Sequence, residues 1–264
     1  VYAQPSINGR FKTTGSRRLK SGTQTIHDHP RTEALQPHKL EETGELYVEA
    51  CYLISKSEWN TAISILEKTT TLDSTFAEAW EALGLCYENL DANEMAFKSY
   101  QAAMALKPFD FQLMKQVAVL AEKLKAWEIA STYFQRYSKR HPNDIDAQFG
   151  WGVALECQER FSEAIDVYEG LLSRQPQHLP TINNLSGCFM SLNDYERAIA
   201  GFQTVLNVVP NFPRAILGLS IAQDLSGQMA SAVLNYRRYL NHNPEGSHAE
   251  TVRERLVELE EDRV

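Results

Sequence analysis

The 264-residue chain carries 26 Lys and Arg against 34 Asp and Glu, a formal net charge of −8, and 43% of it is hydrophobic. That composition supports a buried core over one or two domains and excludes a wholly disordered chain. No run reaches the roughly eighteen apolar residues that a bilayer-spanning helix needs, so only a peripheral association with a membrane complex stays open.

The charge is unevenly spread. Residues 1–40 hold seven basic side chains (10, 12, 17, 18, 20, 31 and 39) against Asp28 and Glu33, a net of +5, and the remainder holds 19 basic against 32 acidic, a net of −13. Ser, Thr, Gly and Pro punctuate this first segment and no apolar periodicity runs through it, so it reads as a basic extended or disordered arm on an acidic body. Arg10, Phe11, Lys12, Arg17, Arg18 and Lys20 are its candidate contacts with an acidic surface. A nucleic-acid partner is disfavoured, because the body is acidic and Phe11 is the one aromatic beside the basic run. His27-Asp28-His29, with His38 nearby, is the one compact ligand-like cluster; in a segment without preorganised ligands it reads as chance polarity, and neither metal nor cofactor is expected.

From residue 41 a period of 34 takes over. Ala62, Ala96, Ala130, Ala164, Ala198 and Ala232 repeat at that interval without a slip, as do Pro108, Pro142, Pro176, Pro210 and Pro244. A third, mostly aromatic column (Trp59, Asn93, Trp127, Phe161, Tyr195, Met229) is expected to open every second helix. Residues 77–110 carry the pattern most fully: Trp80, Leu83, Gly84, Tyr87, Ala96, Tyr100, Ala103 and Pro108 stand at offsets 4, 7, 8, 11, 20, 24, 27 and 32. That spacing resembles the tetratricopeptide repeat (TPR). The resemblance implies an all-α, right-handed α-solenoid of antiparallel helix pairs. Small residues at offsets 8 and 20 let helices approach, large ones at 4, 11 and 24 fill between them, and the proline at 32 ends each second helix. Trp80 is accordingly expected in the core.

The expected division is an arm over 1–40, six repeats within 41–246 (43–76, 77–110, 111–144, 145–178, 179–212 and 213–246), and a capping helix over 247–264. Ser247 with Glu250 reads as a capping box, and Ala249, Val252, Leu256 and Leu259 as the buried stripe of that last helix. Cysteines 51, 86, 157 and 188 fall in first helices without a CxxC pair and read as small buried hydrophobes. Reduced thiols favour a cytoplasmic compartment. The alternatives are an exported or periplasmic origin, from the small residues of Val1-Tyr2-Ala3, and an organellar one, from the Arg- and Ser-rich start.

No GxSxG, HExxH, P-loop or dinucleotide fingerprint occurs, and no catalytic residue is assigned. The resemblance implies instead that the first helices line a concave groove, which places Glu81, Lys115, Phe149, Val153, Asn183, Asn184, Met190, Arg214 and Ile221 there. Its early part is polar and rich in Glu; its later part is apolar, with glycines expected to leave room for a ligand. The clamp by which some family members hold a chaperone's C-terminal carboxylate is mostly missing: Asn184 and Arg214 fit, while Phe149, Val153 and Gly218 replace its other polar residues. The expected function is a non-catalytic scaffold, a subunit of a larger assembly that holds a protein or peptide segment in the groove, with the arm as a second attachment. A transient assembly factor or co-chaperone and a homo-oligomeric scaffold are the alternatives.

Overall fold

The computed structural model describes residues 37–261, with side chains from Leu40 onward. The basic run of the arm and the His27–His29 cluster lie outside the described residues. Within them, twelve helices follow one another in antiparallel pairs: α1 (Pro37–Ser55) with α2 (Trp59–Leu72), α3 (Ala77–Asn89) with α4 (Asn93–Leu106), and α5 (Phe111–Lys123) with α6 (Trp127–Arg140). The series continues through α7 (Ile145–Glu156) with α8 (Phe161–Leu172), α9 (Leu179–Ser191) with α10 (Tyr195–Val208), and α11 (Pro213–Leu225) with α12 (Met229–His242). A final helix, α13 (Ala249–Glu261), packs on α12. Each helix packs on its neighbours in sequence, which makes an α-solenoid. First helices also touch across repeats, α5 with α7, α7 with α9 and α9 with α11, so they occupy the tighter, concave side.

The column Trp59, Asn93, Trp127, Phe161, Tyr195 and Met229 supplies the first residue of every second helix from α2 to α12. The alanine column is fully buried at all six positions. Four of the prolines follow a helix C-cap that has left helical geometry: Lys107, His141, Val209 and Asn243 have ψ of 65°, 65°, 86° and 59°. A proline ring disfavours the helical conformation in the residue before it. In the first pair Ser74 stands where the proline would be. There Asp73 adopts ψ 95° and accepts the Thr75 N–H at 2.9 Å and its hydroxyl at 2.7 Å, so an Asx-type turn does the proline's work.

Within each pair the turn repeats too. Ser57, Asp91, Lys125, Glu159, Asn193 and Gly227 all have φ between 55° and 79°. The next N–H reaches back across the turn, as from Ala126 to the Ala121 carbonyl (2.8 Å) and from Gln228 to that of Gln223 (2.8 Å). This closes the preceding helix as a Schellman motif.

Several expectations change. The helix α1 begins at Pro37, four residues inside the segment read as arm; proline is favoured at a helix's first position because its missing N–H is not needed there. Since α13 starts at Ala249, Ser247 lies outside its N-cap, and Glu250 pairs with Arg253 at 2.9 Å instead of closing a capping box. Trp80 is only partly buried and its indole N–H donates to the Ser74 carbonyl at 3.0 Å, because it lies at the rim between pairs. Of the cysteines only 86 and 188 are buried. Cys51 is exposed in the hollow between α1 and α3, and Cys157 sits one residue past α7. Burial pushes the two buried thiols up, to about 11 for Cys86 and about 12 for Cys188, which keeps them protonated.

Candidate binding groove

The offset-24 column alternates along the solenoid and shapes the groove. Tyr100 and Tyr168 lie against the glycine of their own pair: a Cβ on Gly84 would meet Tyr100 at 2.6 Å, and one on Gly152 would meet Tyr168 at 2.1 Å. Where Ala118 and Ser186 replace that glycine, the aromatic is Phe and packs forward. Phe134 covers Gly150, where a Cβ would meet its ring at 2.7 Å, and Phe202 covers Gly218, where a Cβ would meet its ring at 2.4 Å. Two of the groove glycines expected to admit a ligand are therefore filled from within, and Gly187 is the open one, with only a Glu156 oxygen 4.0 Å from its Cβ position.

Each tyrosine of the column donates to a carboxylate twelve residues upstream: Tyr100 to Glu88 (3.2 Å), Tyr168 to Glu156 (3.0 Å) and Tyr236 to Asp224 (3.1 Å). Glu122 stands at the same offset opposite Phe134 and receives no such bond. Burial raises the carboxyl pKa of Glu122, and also that of Glu156 despite its phenol partner and the nearby Arg214 charge. A raised folded value means that the native state holds its proton more tightly than the unfolded chain, so stability falls as pH rises from the usual 4.5 through the raised value. Glu122→Gln is therefore expected to raise the midpoint of thermal unfolding at pH 7 and to change it little at pH 4. Equal effects at both pH values would contradict this placement.

Two hollows open on the concave side. The first, of about 320 Å³, lies between α1, α3 and α5 and is lined by Tyr47, Glu78, Glu81, Leu85 and Gln116 among others. Lys107 bridges Glu81 at 2.6 Å and Glu78 at 2.9 Å, and its hydrogen bond holds the Glu78 carboxyl below the usual range. The second, of about 490 Å³, runs from the end of α7 across α9 and α11 to the α12–α13 connection. Its floor is apolar, with Met190, Leu217, Ile221 and Pro213, and its polar groups are Glu156, Asn183, Asn184, Arg214 and His248.

Asn183, Asn184, Met190, Arg214 and Ile221 thus come together in one cleft, and Glu81 lines the other hollow. Lys115, Phe149 and Val153 line neither. Lys115 pairs with Asp144 at 2.6 Å, and Phe149 lies edge-on to His178 with ring centroids 5.6 Å apart. Asn183 is only 9% exposed, and its side-chain oxygen is buried without a hydrogen-bond partner. Asn184 donates to the Tyr168 hydroxyl at 3.4 Å. Tyr239, Asn243, Gly246, Ser247 and His248 also line the cleft, and they lie at the end of α12 and in the loop after it, where a rule for first helices does not look. Among the described residues no cluster of metal-ligating side chains forms, and no helix is long and apolar enough to cross a membrane.

Models of the tetratricopeptide repeat match residues 77–110, 118–178 and 158–219, together just over half of the chain. The chain belongs to the tetratricopeptide repeat family, and its fold is that of a protein-interaction scaffold. It is 26% identical over 172 residues to protein FlbA of Caulobacter vibrioides, covering 65% of this chain and 28% of that one. It is 24% identical over 220 residues to the peroxisomal targeting signal receptor of Candida albicans, covering 75% and 37%. The chain therefore spans about a third of the length of these relatives. Among solved structures it is similar to YrrB, described as a TPR protein with an unusual peptide-binding site (TM-score 0.59, 22% identity, 69% of this chain and 97% of that one). It is also similar to MamA (TM-score 0.58, 14% identity, 64% and 92%).

Proposed function

We propose that the chain is a non-catalytic adaptor within a larger assembly, and that it holds an extended protein segment in the cleft between α7, α9, α11 and the α12–α13 connection. The observation that carries this reading is the unpartnered Asn183 oxygen at the edge of an apolar floor. A buried acceptor left unpaired is costly; turning the Asn183 amide outward would let its oxygen take a backbone N–H of a bound segment, while an apolar side chain of that segment covers Met190, Leu217 and Ile221. A peptide-binding site named for one similar structure and a targeting-signal receptor among the relatives support the same reading. Residues 1–36, with Arg10, Lys12, Arg17, Arg18 and Lys20, form the second attachment in this proposal.

Photo-crosslinking tests it directly. With a photoreactive residue at position 217, native extract is expected to give a discrete crosslinked peptide, and adding Ile221→Asp is expected to abolish it. Crosslinks that persist unchanged in the Ile221→Asp protein would refute the cleft as the site. Loss of residues 1–36 is expected to weaken capture of the same partner without removing the crosslink.

A further inference from the structure

We propose that the outer face of α1 is a second docking surface, separate from the cleft, and that it takes a basic amphipathic helix. Each later first helix is covered by the second helix of the preceding pair, α3 by α2, α5 by α4 and so on to α11 by α10. The residues that meet this cover are apolar or small and buried. At offset 3 they are Ala79, Leu113, Ala147, Thr181 and Ala215, none more than 1% exposed. At offset 10 they are Cys86, Leu120, Ala154, Cys188 and Ala222, again none above 1%.

On α1 the same offsets hold Glu45 and Tyr52, and Tyr52 is 62% exposed. Offset 7, where Leu83 and Val117 are buried, holds the exposed Glu49. Around them Leu40 and Val48 are 53% and 69% exposed, and Gly44 lies on the same face. No Cβ stands on Gly44 and nothing lies within 4 Å of where one would be, so a partner backbone has room to approach.

The charge on this face selects the occupant. Glu41, Glu45 and Glu49 follow one another at spacings of four, so their carboxylates are neighbours on one line of the helix. Among the described residues none of the three has an ion pair, whereas Glu42, on the inner side, holds Lys68 at 2.9 Å. Like charges at this spacing destabilise a helix, and a cation between them reverses the sign of the interaction. Leu40, Val48 and Tyr52 lie beside that line, so the complementary ligand is a helix with an apolar stripe flanked by Lys or Arg. A second copy of the chain does not fit. Two α1 faces would oppose the same three glutamates, and the other open end, α13, is net acidic too: Arg253 and Arg255 pair with Glu250 and Glu258 on their own helix, and Glu254 and Glu261 stay exposed beyond them.

The test titrates the full chain with a labelled amphipathic peptide of about 18 residues, five helical turns, built from Leu, Ala and Lys, and with its counterpart in which every Lys is Glu. Fluorescence anisotropy is expected to show saturable binding of the basic peptide only, weakening as salt is added. Glu45→Lys/Glu49→Lys is expected to weaken it by at least about tenfold, and Val48→Asp to a similar extent. Circular dichroism should show both variants folded, since all three residues are exposed. Ile221→Asp, which disables the cleft, is expected to leave this binding unchanged. Equal binding of the two peptides, indifference to the Glu45/Glu49 reversal, or no binding at all would overturn the proposal. So would a mass that rises with protein concentration in wild type and stays monomeric in Val48→Asp, which would assign the face to self-association.

Discussion

Gly152→Val is expected to destabilise the protein by about 3 kcal/mol, the upper part of the range for overpacking a core. In α7 a Cβ at position 152 would stand 2.1 Å from Cε1 of Tyr168. Tyr168 is fully buried, and its hydroxyl is held by Glu156 at 3.0 Å and Asn184 at 3.4 Å, so the ring cannot swing aside without losing both bonds. Gly170, two residues after Tyr168 in α8, provides the control, because nothing lies within 4 Å of its Cβ position. There Gly170→Ala should stabilise by about 0.5–1 kcal/mol, the ordinary benefit of replacing a mid-helix glycine. Urea unfolding of both variants checks the pair of expectations. Removing the ring should relieve the clash, so Gly152→Val combined with Tyr168→Ala should cost less than the sum of the single changes. A wild-type midpoint for Gly152→Val would show that the ring does not occupy the position described.

The same ring explains which parts of this molecule were legible in its sequence. A 34-residue period is a statement about what each helix pair must do alike: the alanine column is the same in every pair, and the second helices open at the same position in each. Both were readable, and so was the apolar stripe of α13. The differences between pairs were not. Whether an aromatic at offset 24 packs on its own pair or the next depends on whether offset 8 or offset 6 lacks a Cβ, and this couples positions on different helices. Read one column at a time, Gly150 and Gly218 look like space, and they are filled by Phe134 and Phe202. The turn column was hidden for another reason. Five of its six members are not glycine, although an L-residue at positive φ costs about 1–2 kcal/mol, so composition gave no sign of it. The cleft was half legible, since five of nine expected groove residues meet there. Its far wall comes from the cap connection, outside the repeat.

The cap's attachment is where the second large effect is expected. Asp224 in α11 is 7% exposed and accepts Nε and Nη2 of Arg255 at 2.8 and 2.9 Å together with the Tyr236 hydroxyl at 3.1 Å, joining α11, α12 and α13. Asp224→Ala removes the acceptor from all three donors and leaves the buried phenol unpaired, at an expected loss of about 2–3 kcal/mol. Arg255 is 40% exposed at its side chain, so water recovers part of its loss and the figure stays below that of a fully buried pair. Because a solenoid's stability is nearly a sum over neighbours, the loss should fall on α13 and α12. Amide hydrogen exchange is expected to accelerate there and to remain unchanged in α3 to α8. Arg255 holds the Asp224 carboxyl below its usual value of 3.8, so its stabilisation is complete above that value and is lost as pH falls through the lowered one. Protection of α13 in the wild type should therefore persist down to pH 4 and decline as pH falls further through the lowered value, whereas the variant should show no such loss. Ser247 and His248 stand in the wall of the cleft and in the chain leading to α13. Loosening α13 frees that wall, so Asp224→Ala should also weaken whatever the cleft holds although Asp224 does not line it. Unchanged exchange in α13 would mean that its buried stripe holds it without the Asp224–Arg255 contact, and the cleft should then be indifferent to the substitution as well.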